Sequence, residues 1–376
     1  MNRRWFLLLL VVGPLLAGTL PGRQSQAGVP VGSWQVHDPI AYSNLALFPI
    51  TATVSHDSSS YITLDEGLRT GEVEVMELGS GLVRHRPGTT PPGGGPQVNT
   101  LALLNHSKKA LILLACEIVT GGRQDRVISK DRVVPPGADP LPLDVFCVEP
   151  GRWQGASQAF RGQSFMAAPS VRQKAAVAKN QQEVWDATAA TRESLAGAAG
   201  LSPAAPELRS SSSYAQVERS GSLKAKIDQA SSDLQRDYER ALAGALRGKN
   251  VVGVVVAING EVVWADLFSD SALFERYWPK LLRSYVVEAL SVPVVEHARA
   301  STSAAESFLA QREGRQIIEV EPGEYRLVQI DHPRYSVFQL ASLWEKSEPL
   351  LHFNKLRKER AEPRPRPVPM PMQERR

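Results

Sequence analysis

The chain has 376 residues, 43% of them hydrophobic and 22% charged, which excludes a disordered, collagen-like or disulfide-dense protein and suits one large or two ordinary globular domains. Its net charge of +4 belongs to its ends: taking away +3 for residues 1–27 and +5 for residues 354–376 leaves −4 for residues 28–353. A basic footprint over the body is lacking, so nucleic acid is not an expected partner.

Residues 1–27 read as a secretory signal peptide. Arg3 and Arg4 form its positive region, Phe6–Leu20 its apolar region, and Ser25 and Ala27 the small residues before a cleavage at Gly28. The rival reading is a membrane anchor, but spanning takes about 20 apolar residues, and this run is shorter and interrupted by Pro14. No later segment is long and apolar enough to span. The mature chain is expected to be soluble and exported, periplasmic or extracellular.

Residues 28–165 read as a β-rich domain. Apolar, β-branched runs occur at Ala46–Val54, Glu72–Leu78, Thr100–Asn105, Ala110–Val119, Arg126–Val134 and Leu141–Val148. Turn signals separate them, which suggests an antiparallel sandwich or barrel. Leu64–Arg69 fits one short helix, and the Pro/Gly tract of residues 87–96 is a flexible loop. Residues 166–195 carry a helix from Ser170 to about Leu195. Residues 196–222, rich in Ala, Gly, Ser and Pro, read as a linker or mobile loop.

An α+β domain spans residues 223–345. It opens with a helix over Leu223–Arg247, whose Leu223, Ile227, Leu234 and Tyr238 recur at helical spacing. Asn259-Gly260 between β-branched runs predicts a hairpin of Val251–Ile258 with Glu261–Phe268. Asp270 or Ser271 caps the next helix, which Pro279 divides, with Lys280–Leu290 completing it. Ser303-x-x-Glu306 reads as a capping box, and Arg315–Val320 with Tyr325–Asp331 as a second hairpin. Phe338–Trp344 is a last strand or helical turn. Residues 354–376 read as a disordered, basic, Pro-rich tail. The fold class is α+β: an antiparallel, sandwich-like N-terminal part packed with a helix/β-hairpin C-terminal part.

Signatures of chemistry are sparse. The chain has no G-x-S-x-G, H-E-x-x-H, P-loop or G-x-G-x-x-G. Its seven histidines are scattered, and no metal site is expected. Cys116 and Cys147 either bridge or stand as separate buried thiols. The densest polar cluster is Glu117, Gln124, Arg126, Glu149, Arg152 and Trp153. In one reading these side chains converge on a pocket, where the Arg forks suit a carboxylate or phosphate and Trp153 stacks on a ligand ring. In the other, Glu and Arg pair to hold strand ends together and Trp153 is core. Asp65-Glu66 suits a helix N-terminus. Asp266, late in a strand, is either catalytic or a strand-end cap. Trp185, Trp264, Trp278 and Tyr285 lie on apolar faces and fit core packing better than a binding platform.

Several segments together carry a family resemblance: Asn44–Pro49, T-L-D-E-G at Thr63–Gly67, G-G-R-Q-D-R at Gly121–Arg126, C-V-E-P-G-R-W at Cys147–Trp153, QEVWD at Gln182–Asp186 and D-L-F at Asp266–Phe268. In these the chain resembles the ADP-ribosylglycohydrolase- and rhodanese-phosphatase-associated protein domain family over most of residues 44–290. Cys116 stands where that pattern would have a glycine. The resemblance implies an α+β domain of unestablished biochemistry whose genomic company is ADP-ribose-processing enzymes.

Two function classes fit these readings. The first is an exported, non-enzymatic binding or interaction module with a small-ligand or protein partner. The alternative is an enzyme or sensor acting on a nucleotide-like, ADP-ribose-related or phosphorylated ligand. There Arg126 and Arg152 would bind the anion, and Glu117 or Glu149 would supply acid or base. A third idea is an envelope-associated structural factor whose basic tail contacts an anionic surface. No cofactor is assigned.

Overall fold

Strands from opposite ends of the sequence hydrogen-bond to each other. A computed structural model describes residues 34–78, 99–150, 159–198, 208 and 212–358. It begins with β1 (Trp34–Val36), β2 (Ile40–Tyr42), β3 (Leu45–Ala52), β4 (Tyr61–Thr63), α1 (Leu64–Thr70) and β5 (Val73–Glu77). Next come β6 (Thr100–Asn105), β7 (Ala110–Leu113), β8 (Glu117–Gly121), β9 (Arg126–Ile128), β10 (Arg132–Val134), β11 (Ala138–Cys147) and β12 (Phe160–Met166). A helical stretch follows: α2 (Pro169–Gln173), a π-helical turn (Lys174–Ala178), α3 (Gln181–Ala198), α4 (Gln216–Arg219) and α5 (Gly221–Ala243). The chain then forms β13 (Val251–Ile258), β14 (Glu261–Phe268), α6 (Ser271–Ser291), α7 (Thr302–Ala310), β15 (Arg315–Glu321), β16 (Tyr325–His332), β17 (Tyr335–Ser342) and β18 (Leu350–Arg357).

Local chemistry explains many of these boundaries. Asn259 and Gly260 take φ of +50° and +76°, the left-handed pair that a type I′ turn needs, so β13 and β14 pair where the turn directs. Thr63 starts α1 with a capping box: the Glu66 N–H donates to Thr63 Oγ1 at 3.3 Å, and the Thr63 N–H donates to Glu66 Oε2 at 2.8 Å. Asp270 caps α6, its Oδ1 accepting from the Leu273 N–H at 2.8 Å. The cap of α7 is Ser301, accepting from the Ala304 N–H at 3.1 Å, and the expected box at Ser303 does not form.

The central sheet has nine strands, ordered β1-β3-β13-β14-β18-β17-β16-β15, with β2 paired to β3. One face carries Leu47, Val254, Val256, Trp264, Phe268 and Leu340 into the largest apolar cluster, shared with α2, α3, α5 and α6. The other face buries Phe48, Val255, Leu267, Val337 and Phe353 beneath Ala305, Phe308 and Leu309 of α7. A second layer pairs a six-stranded sheet, β12-β8-β9-β11-β6-β5, with a three-stranded one, β10-β7-β4. Leu101, Leu103, Leu111, Leu113, Val119 and Val145 fill the space between them. The fold is thus α+β with sandwich-like, mostly antiparallel sheets; β4 and β7 run parallel.

Several boundaries differ from the sequence reading. Residues 28–165 and 223–345 share one sheet: β3 pairs with β13 along its length, and the described residues fall in one compact unit. The run Ala110–Val119 is two strands, because Cys116 turns the chain at φ +71°; that left-handed conformation suits the glycine of the family pattern. Arg126–Val134 is likewise two strands. The helix from Ser170 breaks at Lys179, φ +51°, after the π turn, which resets the helical face. Pro279 lies within an unbroken α6, whose buried Tyr277, Trp278, Leu281 and Leu282 hold both sides of the missing N–H in place. Residues 216–219 and 221–222 of the expected linker belong to α4 and α5, and the expected tail begins in order, since β18 runs to Arg357. Residues 1–27, 87–96 and 359–376 lie outside the described residues.

The β13–β14 pair leaves no room at Gly253, where a Cβ would sit 2.1 Å from the Asp266 carbonyl oxygen and 2.7 Å from Leu267 Cα. Gly253→Ala is predicted to lower stability by about 3 kcal/mol through this overpacking, read as an earlier midpoint in urea denaturation.

Candidate functional site

Asp266 sits in the middle of an apolar strand with no exposed surface. A carboxylate there is costly unless its lone pairs are met, and five side chains meet them. Arg172 Nη1 and Nη2 donate to Oδ2 and Oδ1, both at 3.1 Å. Trp264 Nε1 donates to Oδ2 at 2.9 Å, and the Tyr285 hydroxyl donates to the same oxygen. Asn354 Nδ2 donates to Oδ1 at 2.7 Å, and His352 Nε2 lies 3.1 Å from it. On its far side His352 Nδ1 is 2.6 Å from Asp131 Oδ2, and Asp131 Oδ1 accepts the Ala115 N–H at 2.7 Å.

Strand alternation assembles half of this array. Trp264 and Asp266 share one face of β14, and the register sets Asn354 opposite Asp266 and His352 opposite Phe268. Arg172 comes from α2, Tyr285 from α6, and Asp131 from the turn between β9 and β10. The Arg172 guanidinium also lies 4.4 Å from the Trp264 ring centroid.

Charge follows from the geometry. Burial alone would raise the Asp266 carboxyl, but Arg172 and His352 outweigh it and hold the group well below the usual carboxylate range. Burial would lower His352, but Asp131 and Asp266 raise it to about 9. The array is therefore a chain of alternating charges, Asp131⁻, His352⁺, Asp266⁻, Arg172⁺.

Beside it lies a cavity of about 20 Å³, room for one water molecule. Asp131, Arg172, His352 and Asn354 border it on the polar side, and Trp264, Leu327 and Phe338 on the apolar side. Half-buried Lys130 and exposed Lys179 line its solvent side. Its wall includes Ala176 of the π turn, where the Lys179 N–H bonds the Lys174 carbonyl at 3.1 Å; single π turns recur at functional sites. Two larger hollows, of about 570 and 560 Å³, lie along α5 and α6, away from this array. Both nitrogens of His352 are taken by carboxylates, and among the described residues no group of three His, Cys, Asp or Glu is placed to hold a metal.

The polar cluster read from the sequence divides in two. Glu117 pairs with Lys280, whose Nζ also donates to Asp65 Oδ2 at 2.9 Å. Glu117 Oε2 accepts the Leu114 N–H at 2.6 Å. Gln124, Arg126 and Glu149 do meet: Gln124 Nε2 donates to the Glu149 carbonyl at 3.1 Å, and the Asp125 N–H to Glu149 Oε2 at 3.2 Å. Arg126, buried across from Cys147, donates to the Asp125 carbonyl at 3.4 Å. Arg152 and Trp153 lie outside the described residues. Cys116 and Cys147 are free rather than bridged, each buried beside its own backbone partner, Arg172 O and Glu149 N–H; burial pushes the Cys116 thiol up to about 12. Arg172, Asp131, His352 and Asn354 are site residues the sequence did not point to. The one local signal was Asp266, an acid inside the apolar run V-V-W-A-D-L-F.

Two predictions follow from these ion pairs. Removing Lys280 as Lys280→Met leaves Glu117 buried beside Asp65, at a cost of about 3–5 kcal/mol in chemical denaturation. The raised pKa of His352 means its protonated form stabilises the fold fully below its ordinary value of 6.5, and that contribution is lost as pH rises to about 9. The lowered pKa of Asp266 acts in the opposite sense, its contribution being present above 3.8 and lost in acid. Melting temperature is therefore expected to fall between pH 6.5 and 9, and His352→Gln to flatten that alkaline limb while leaving the acid limb.

Among the described residues no helix is long and apolar enough to cross a membrane. No curated protein and no solved structure matches the chain. One family model matches residues 33–352, nearly all of the described fold. The chain belongs to the family of the ARG and Rhodanese-Phosphatase-superfamily-associated Protein domain.

Proposed function

We propose that the chain is an exported small-ligand-binding module whose site is the cavity beside the Asp266 array. The observation that carries this reading is a rigid, fully buried set of charges next to a hollow with apolar walls and two lysines on its solvent side. A cavity this small takes one terminal group of a ligand, with the remainder lying outside against Lys130 and Lys179. Those ammonium groups suit a phosphate or carboxylate. Lys130 already holds Glu319 at 2.5 Å, so an incoming anion would exchange for that carboxylate. Export rests on the sequence of residues 1–27.

Binding is favoured over catalysis because the acid and base candidates are committed elsewhere. Both nitrogens of His352 and both oxygens of Asp266 are bonded within the protein. Glu117 is tied to Lys280, and Glu149 to the backbone of Asp125. The family's association with ADP-ribosylglycohydrolase and rhodanese-phosphatase proteins orders the ligands to try first.

The test is a thermal-shift screen of the full chain with NAD, ADP-ribose, mononucleotides and sugar phosphates. One phosphate-bearing ligand is expected to add about 2.7 kcal/mol at 100 times its Kd. Lys179→Ala should keep the unliganded melting temperature and lose that increment. A flat screen, or an increment indifferent to Lys179 and Lys130, would overturn the reading.

A further inference from the structure

The outer edge of the central sheet is built to pair with itself. β15 ends the strand order, bonded only to β16. Among the described residues no backbone group bonds to its other side. Its seven residues, Arg-Gln-Ile-Ile-Glu-Val-Glu, are long for an edge strand and apolar on both faces. Ile317, Ile318 and Val320 are 43%, 57% and 50% exposed. Natural sheets usually shield such an edge with a bulge, a proline, a short strand or charges; here no bulge interrupts the β15–β16 register, the strand holds no proline, and its charges, Arg315, Glu319 and Glu321, are of both signs.

We propose that two copies of this chain associate through β15, antiparallel across a two-fold axis at Ile318. Such an axis, perpendicular to the sheet, keeps each face on its own side, so residues facing each other must share a face. That leaves three central registers. An axis at Ile317 sets Arg315 against Glu319, a carboxylate already held by Lys130 and Tyr325, and Glu313 against Glu321, and an axis at Glu319 sets that carboxylate against its own copy. An axis at Ile318 pairs all seven residues, places Arg315 opposite Glu321 at both ends and Ile318 against Ile318 in the middle, and opposes no like charges. Charge complementarity thus selects one register and one partner, a second copy. The result is a single sheet running through both protomers. One edge strand per copy is a small contact beside the 1,200–2,000 Å² of a standard interface, so the dimer forms in a concentration-dependent way.

Sedimentation equilibrium of the full chain tests this. The weight-average mass is expected to climb from 41.0 kDa towards twice that value with concentration. Ile318→Lys, which sets two ammonium groups on the axis, should hold it at the monomer value with an unchanged melting temperature. Arg315→Glu should weaken association roughly tenfold, and the double exchange Arg315→Glu with Glu321→Arg should restore it. A monomer at every concentration, a dimer indifferent to Ile318→Lys, or a double exchange that fails to rescue would each overturn the proposal.

Discussion

A carboxylate with no access to water imposes the strictest condition on this fold. Asp266 must be met by donors from every side, and its donors come from three other elements, α2, α6 and β18, and from Trp264 on its own strand. Each of those segments is thereby held at hydrogen-bond distance from one pair of oxygens. Packing alone would leave α2 and α6 free to settle by fractions of a turn against the sheet. The bidentate Arg172 contact and the Tyr285 hydroxyl remove that freedom, because an unmet lone pair in the interior costs more than a small loss of apolar contact.

The condition spreads outward through His352. Held between Asp131 and Asp266, the imidazolium fastens the turn after β9, part of the sandwich layer, to the central sheet. Lys280 does the same a short way off, joining α6 to the start of β8 and to α1. Two buried cations thus join the layers where their apolar clusters meet. The shared β3–β13 pairing adds a constraint of connectivity, since the chain must leave the central sheet, build the sandwich layer and return.

Much of this architecture is readable residue by residue where the cause is local. Asn259-Gly260 determines its hairpin because two left-handed residues admit few other arrangements. Asp270 caps α6 because it precedes the first turn in extended backbone, where its carboxylate reaches the Leu273 N–H. Ser303-x-x-Glu306 misleads because Ser301, two residues earlier, offers the same hydroxyl to the same helix. Thr63-x-x-Glu66 is a true box of equal form. The site was legible only at Asp266, an acid inside the apolar run Val262–Phe268. His352 and Asn354 gave no local sign: they alternate along β18, but their meaning depends on which strand lies alongside. Gln124, Arg126 and Glu149 lie close in sequence and meet in space, whereas Glu117 is drawn away by a lysine far down the chain. Spacing along a sequence carries no information about such a partner.

β18 is the last strand of the described fold, and it supplies both His352 and Asn354. As the chain is made from its N-terminus, Arg172 and β14 with its aspartate exist before His352 and Asn354, the last of the groups that meet it. A nascent or prematurely ended polypeptide therefore leaves that carboxylate, and Asp131 beyond it, short of their last partners at a place where an unmet lone pair is costly. Closing the sheet with β18 acts as an inspection of completeness: only a chain made through Asn354 can supply the full set of donors around Asp266.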